Sequence, residues 1–316
     1  MKVSVCLLSY NHAHSLPRAI DSILRQSLPK FELIISDDCS KDNSWDVIQT
    51  AVAKNPVIKA IRTAANLGMP GNTNFAIGYA TGDVIALLHH DDTFHPDLLK
   101  TGLSLFQRNK KLGFVFYDVA NKEHNTTLHT HHSMNRNFPE VIDGLWFLRN
   151  DLLRYWGCSV WGSALIKKDC FDEIGGIDPV FEFLADIDLW MRLAYRYDVG
   201  YIREPMIFVT RDRPLDYPEE YGSFSWKRWR LAFDIHATNI RRVNRDKAGS
   251  YILRWFRFRT RVSIEILRWL AYGIIKNRRD IILRCRESDN PYEFLPLRLL
   301  KRILVGFVTR SKGDVV

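Results

Sequence analysis

Val84-Ile85-Ala86-Leu87-Leu88-His89-His90-Asp91-Asp92 is a short apolar run that stops abruptly in two imidazoles and two carboxylates. The run fits a buried strand or a piece of core helix. Thr81-Gly82-Asp83 before it reads as a turn, and the Pro-containing segment after it, up to Leu99, resumes an apolar pattern as a helix start does. Core strands of α/β proteins deliver ligand-binding residues at their carboxyl ends. Two adjacent carboxylates repel each other, and a cation between them and a substrate relieves the repulsion. Taken alone, the acid pair reads equally well as a solvated loop.

Toward the N-terminus the pattern alternates. Val3 to Leu8 predicts a strand, and Ser9-Tyr10-Asn11 a turn. Leu16 to Gln26 has helical spacing, with Leu16, Ala19, Ile20, Ile23 and Leu24 on one face. Phe31 to Ile35 predicts a second strand that runs into Ser36-Asp37-Asp38-Cys39-Ser40. Ser44 to Ala53 predicts a helix with Ser44 as its cap, Ala60-Ile61 a third strand, and Asn74 to Ala80 a helix after the loop Asn66 to Asn72. Alternating strands and helices imply βαβ units and a mostly parallel sheet. Three strand ends then carry Ser9-Tyr10-Asn11, Asp37-Asp38 and His90-Asp91-Asp92, and this convergence favours a binding site over a solvated loop.

Toward the C-terminus, Leu98 to Arg108 predicts a helix and Phe114 to Val119 a strand. The polar stretch 121–140 holds His124, His129, His131 and His132, and with no neighbouring Cys or acid it reads as an exposed loop. Trp156 to Ile166 predicts a strand entered through small residues, and Lys168 to Ile174 a helix closed by Gly175-Gly176. A helix starts at Asp186, where the dipole favours the anionic carboxylate, so that Asp186 also reads as a simple cap. Val199 to Ile202 and Met206 to Thr210 predict late strands. The charged, Pro-rich Arg211 to Pro218 sets a boundary between an α/β domain, 1–215, and a helical region, 216–316.

The composition, 46% hydrophobic and 26% charged, is that of a folded protein and not of a disordered tail. No apolar run reaches the roughly 18 residues of a membrane span, and the strand-like Val3 to Leu8, without a basic n-region, apolar h-region and cleavage site, is not expected to be a secretory signal. The five scattered cysteines, without a CxxC pair, predict free thiols in a reducing compartment. The net charge of +9 is uneven: residues 241–316 hold 19 Lys/Arg against 7 Asp/Glu, while the first 240 residues sum to −3. Between Tyr251 and Ile275 an apolar stripe (Ile252, Trp255, Phe256, Ser263, Ile266, Leu270, Ile274) lies beside a charged one (Arg254, Arg257, Arg261, Glu265, Arg268). A basic amphipathic helix with Trp in its apolar half predicts contact with an anionic membrane surface; packing on the α/β domain is the alternative. Leu295 to Val308 repeats the theme.

Several of these segments, in this order, resemble the family 2 glycosyltransferases of the GT-A fold over residues 1–215. Leu8-Ser9-Tyr10-Asn11 is similar to the family's first turn, and Asp37-Asp38-Cys39-Ser40-Lys41-Asp42 to its Asp-Asp-Gly-Ser-x-Asp. Asn66-Leu67-Gly68 with Asn74 matches the loop and helix that follow. His89 to Asp92 stands at the metal-binding Asp-x-Asp-type motif, and Asp186 to Arg192 resembles Glu-Asp-x-Asp-Leu-x-x-Arg. The resemblance implies an inverting transfer of sugar from a nucleotide-diphosphate donor, a UDP-sugar foremost, to an acceptor hydroxyl, with Mn²⁺ or Mg²⁺ as cofactor. Ser9, Tyr10, Asn11 and Asn66 would border the nucleotide, Asp38 would hydrogen-bond the base with Asp37 close by, and Asp91 would face the ribose or sugar. Asp92 would bind the metal, with His90 as a second candidate that tilts the choice towards Mn²⁺, and Asp186 would be the general base. Arg211 and Arg213 would serve as phosphate contacts or as plain surface charge.

The departures from the pattern are specific. His89 stands where the most acidic versions carry another Asp, Thr73 where an Arg is frequent, and Ala185 where a Glu precedes the base. Ser225-Trp226-Lys227-Arg228-Trp229 only partly matches the Gln-x-x-Arg-Trp of processive synthases, which predicts transfer of a single sugar. With the basic tail, the expectation is a cytoplasmic enzyme on the inner membrane face acting on a lipid-linked glycan. A nucleotidyltransferase would want a Gly-rich phosphate loop near the first strand, which Ser9 to His14 lacks. A non-catalytic binder of nucleic acid or another anionic surface would leave the acidic strand ends without a role, so no nucleic acid is expected as partner.

Overall fold

The first strand, β1 (Val3–Ser9), is buried along its whole length, as a near-continuous apolar strand must be when both faces of a parallel sheet are covered. α1 (Leu16–Leu24) follows, with a proline in its first turn and Leu16, Ala19, Ile20 and Ile23 buried. Then come β2 (Glu32–Asp37), α2 (Ser44–Lys54), β3 (Ile58–Arg62), α3 (Gly68–Gly78) and β4 (Val84–His89). These four strands stand in the order β3-β2-β1-β4, and their neighbouring pairs are parallel. The chain therefore builds outward from β1 to β3 and returns to the other side of β1. That reversal opens a crevice between the carboxyl ends of β1 and β4.

The sheet continues β4-β8-β6-β9-β5, with β7 paired to β9. Its remaining elements are β5 (Thr93–Phe94), α4 (Leu98–Arg108), β6 (Leu112–Asn121), β7 (Val141–Ile142), α5 (Gly144–Phe147), β8 (Ala164–Lys167), α6 (Lys168–Glu173), α7 (Ala185–Arg196) and β9 (Asp198–Val209). A π-turn, Leu148–Leu152, follows α5, and a 3₁₀ segment, Pro179–Leu184, leads into α7. β8 runs antiparallel between β4 and β6. The architecture is a mixed α/β fold around a mostly parallel sheet.

The computed structural model describes residues 1–121, 137–154, 158–209, 225–243, 248–276, 278, 281–282, 285, 293 and 295–311. The histidine-rich stretch and the segment with Arg211 and Arg213 lie outside the described residues. The polypeptide divides into two compact units, Met1–Pro218 and Glu219–Val316.

Three local expectations are revised. Ser44 is not the cap of α2 but its first residue; Asn43 holds the cap position, and Asp42 before it accepts from the Ser44 amide (2.9 Å) and hydroxyl (2.5 Å). The strand expected over 156–166 begins only at Ala164, and Cys158 to Ser163 is loop. The two late strands are one. Tyr117 pairs with Ile202 and Asp118 with Pro205, so Arg203 and Glu204 bulge out of register and mimic a break.

The second unit contains α8 (Trp226–Val243), α9 (Ala248–Ile275) and α10 (Leu295–Ser311). Trp269, Leu270, Ile281, Ile282, Cys285 and Val305 form its core, with Trp229 and Tyr272 packed against them. The apolar stripe expected on α9 is split. Ser263, Ile266 and Leu270 are buried, while Phe256 and Ile274 stay exposed together with Ile264 and Ile275. Leu299, Leu300 and Ile303 of α10 are exposed as well. Among the described residues no helix is long and apolar enough to cross a membrane.

Candidate active site

The turns after β1 and β2 are stitched into one wall. The Asp38 amide donates to the Ser9 carbonyl (2.9 Å), and the Asn11 amide to the Ser40 hydroxyl (2.9 Å). The Lys41 amide donates in return to Asn11 Oδ1 (2.8 Å). Asn11 and Cys39 both sit at positive φ, 52° and 59°. Asn tolerates that region; Cys39, in the place of the expected glycine, adopts it against its own preference.

Asp37 and Asp38 have different tasks. Asp37 is fully buried; it is paired with Arg62 at 3.0 Å and accepts the Ser40 amide at 3.1 Å through Oδ2. Its other oxygen, Oδ1, has no partner, and neither does the buried Ser9 hydroxyl. Ser9 and Asp37 are register partners in β1 and β2, so the two unpartnered atoms belong to matched ends of neighbouring strands. Asp38 accepts from the Leu67 amide (2.8 Å) and the Thr63 hydroxyl (3.0 Å), which ties the loop before α3 to the β2 end. Burial pushes its carboxyl above the usual range. Asn66 is exposed and caps its own loop by accepting the Gly68 amide (2.8 Å). Tyr10 is half-buried in the same wall.

On the opposite side of the crevice, His90 Nδ1 donates to the Leu8 carbonyl at 2.9 Å, bridging β4 to β1. The His12 ring packs on it with centroids 3.8 Å apart. Burial pushes the His90 imidazole down to about 4, so the ring is neutral at pH 7 with its lone pair on Nε2. Arg18 donates to the Asp91 carbonyl (3.3 Å). Asp91 is exposed and Asp92 buried. Burial, and then the neighbouring Asp91 charge, hold the Asp92 carboxyl well above the carboxylate range, and it accepts a hydrogen bond from the Trp161 side chain.

Asp186 is half-buried in the first turn of α7. The turn before it is fixed by a buried network. Arg192 pairs with Asp188 (2.6 Å) and donates to the carbonyls of Ile174 (2.9 Å) and Gly176 (2.6 Å). Asn74 of α3 clamps Ile177 by both its amide and its carbonyl (3.0 and 2.9 Å). Removing one partner of a buried ion pair of this kind costs about 3–5 kcal/mol. Gly162 lies between His89 and Asp186: a Cβ there would stand 3.3 Å from His89 Nε2 and 3.7 Å from Asp186 Oδ2. The loop Cys158 to Ser163 thus bridges the β4 end and the α7 start. Nothing in the sequence pattern marks this loop as functional, apart from its crowding of small residues around Trp161.

The glycosyl transferase family 2 model matches residues 4–174, just over half of the chain. The chain belongs to glycosyl transferase family 2. An uncharacterized glycosyltransferase of Nostoc sp. is 40% identical over 182 residues, 57% of this chain and 55% of that relative, so the match spans little more than half of the relative's length. The Escherichia coli UDP-Glc:alpha-D-GlcNAc-diphosphoundecaprenol beta-1,3-glucosyltransferase WfgD is 31% identical over 122 residues, 38% of this chain and 47% of that protein. Among solved structures, S. aureus TarS 1-349 in complex with UDP-GlcNAc superposes with a TM-score of 0.63 at 15% identity, covering 100% of this chain and 93% of that one. At that identity the likeness shows the GT-A-type fold.

For a family 2 chain the donor set at β4 fits a divalent cation in one respect. Asp91 and Asp92 offer hard oxygens, and the Asp92 carboxylate is disfavoured by the very charge that a cation would offset. Among the described residues no three His, Cys, Asp or Glu side chains converge into a closed metal cage. An ion here would need further oxygens from substrate and water, as Mg²⁺ does in nucleotide sites.

Proposed function

We propose that the chain is an inverting glycosyltransferase that moves one sugar from a nucleotide-diphosphate donor, a UDP-sugar foremost, to a hydroxyl of a lipid-linked glycan in surface-polysaccharide assembly. The observation that carries this reading is the pair of buried oxygens without partners, Ser9 Oγ and Asp37 Oδ1, at matched ends of β1 and β2. Buried polar atoms are rarely left unbonded in native proteins. A nucleoside offers the donors and acceptors that would complete these two, with Tyr10, Asn11, Asp38 and Asn66 around it. The UDP-GlcNAc complex of TarS and the UDP-glucose and diphosphoundecaprenol substrates of WfgD support the donor and acceptor classes.

Asp186, at a helix N-terminus that favours its anionic form, takes the proton of the acceptor hydroxyl as general base, help worth about 10²–10⁴-fold. The diphosphate leaves on the side of Asp91 and Asp92. Attack from the Asp186 side with departure on the Asp91 and Asp92 side would place the two events on opposite faces of the sugar, which inverts the anomeric carbon. Asp92 and Asp91, with His90 Nε2 as a third candidate, would hold Mn²⁺ or Mg²⁺, whose chemistry there is Lewis-acid stabilisation of the diphosphate. The exposed apolar residues of α9 and α10, set in a region of net charge +12 over 241–316, would rest the enzyme on an anionic membrane face.

A thermal-shift screen of UDP- and GDP-sugars tests the reading. The expected result is stabilisation by one donor that grows with Mn²⁺ or Mg²⁺. No shift with any sugar nucleotide, metal present, would overturn it.

A further inference from the structure

Trp161 is a large aromatic in an unusual place. Its side-chain N–H is used by the buried Asp92 carboxyl, yet 41% of its surface is exposed. Core tryptophans of this protein behave differently: Trp190 is fully buried. Trp146 is exposed as well, at 50%; what sets Trp161 apart is that its N–H reaches a buried acid at the end of β4 while its ring stays open to solvent.

The loop that carries Trp161 is held at both ends. Val160 and Ser159 are buried, and the Ser159 hydroxyl donates to the Asp151 carboxylate at 2.6 Å. Ser163, also fully buried, leads directly into β8. Between these points Gly162 faces His89 on one side and Asp186 on the other. The indole therefore stands on an anchored strap that runs between His89 at the end of β4 and Asp186 at the start of α7. In an inverting displacement the reacting sugar lies between the leaving group and the base, and the strap touches both proposed sides: Trp161 reaches Asp92 and its neighbour Gly162 lies beside Asp186.

We propose that Trp161 is the platform for the donor hexopyranose: its ring face stacks on the apolar C–H face of the sugar while its N–H positions Asp92. This rests on the donor-transfer reading above and adds a specificity-determining residue to it. Aromatic side chains join a broad apolar face to a polar handle, the combination a sugar ring beside a diphosphate requires. A side chain that reads the sugar and also holds the acid next to the diphosphate couples recognition to alignment.

The test uses the full chain and three variants: Trp161→Ala, Trp161→Phe and Trp161→His. The probes are UDP, GDP, UDP-glucose, UDP-N-acetylglucosamine and GDP-mannose, titrated calorimetrically with Mn²⁺, with thermal melts as a check on folding. Trp161→Ala should leave the affinity for the free nucleotide within about twofold and weaken the matched sugar nucleotide about five- to tenfold. Trp161→Phe keeps a ring face, so it should bind the sugar nucleotide nearly as wild type, with turnover reduced about tenfold through the lost N–H. Trp161→His, with an N–H on a smaller ring, should regain part of that turnover. Unchanged sugar-nucleotide affinity in Trp161→Ala would overturn the platform. So would equal loss in the Ala and Phe variants, or loss of free-nucleotide affinity in step with that of the sugar nucleotide. Failure of the wild type to bind any of the three sugar nucleotides would overturn the donor-transfer reading itself, and this proposal with it.

Discussion

Gly162 shows how narrow the margin is at single positions. A methyl group there would sit 3.3 Å from His89 Nε2 and 3.7 Å from Asp186 Oδ2, close enough to displace the His89 ring by a few tenths of an ångström while meeting Asp186 in ordinary contact, and with side chains rather than backbone as its nearest neighbours. Gly162→Ala should melt within about 2 °C of wild type and lose about 10- to 100-fold in kcat, since small misplacements of reacting groups are costly. Steady-state kinetics beside a thermal melt check this; full activity would show that the gap is not needed. At the same scale the acids were legible in advance, because like charges at strand ends are a chemical anomaly that a sequence displays. The Trp161–Asp92 contact was not, since it joins residues 69 positions apart and depends on where a loop turns.

Elements were legible wherever periodicity and burial agreed. β1, β2 and β4 are buried on both faces and read as continuous apolar runs. β5 and β7, two residues each, have no periodicity to read, and β9 looked like two strands because its bulge carries Arg203 and Glu204. α8 passed unread because aromatics and arginines alternate along it too densely to leave one plain stripe. Registration of the parallel strands rests partly on Glu32. Its carboxylate accepts from the Ser4 hydroxyl (2.6 Å) and from the Thr81 amide (3.0 Å) and hydroxyl (3.3 Å). Burial alone would raise this group, but those hydrogen bonds outweigh it and hold it below the usual range. A carboxyl depressed in the folded state stabilises it above the unfolded-state value, and the stabilisation is lost as pH falls through the native one. Glu32→Gln should therefore be less stable than wild type at pH 7, with the gap closing on acidification in denaturant titrations. A gap that stays constant from pH 7 to pH 3 would remove this role.

For the whole molecule, the charge asymmetry and the split apolar stripe of α9 belong together. One face of α9 builds the core of its own unit through Trp269 and Leu270. Another leaves Phe256, Ile264, Ile274 and Ile275 in solvent. The sequence alone could not separate these two faces, because both are apolar and only tertiary packing decides which is covered. If the uncovered face meets a membrane, the full chain carrying Phe256→Glu and Ile275→Glu should float with phosphatidylserine-containing liposomes at least about fivefold less than wild type, while wild type should be released by salt. Equal flotation of both would sink the membrane reading and leave the sugar-transfer reading untouched.

The central claim is that the strand ends and the α7 start form one sugar-transfer site with Asp186 as its base. Turnover of the donor selected by the binding screen, measured for Asp186→Asn against wild type with affinity for that donor followed in parallel, tests it most directly. The account predicts unchanged donor affinity and a kcat lower by about 10²–10⁴-fold. Wild-type turnover by Asp186→Asn would contradict it.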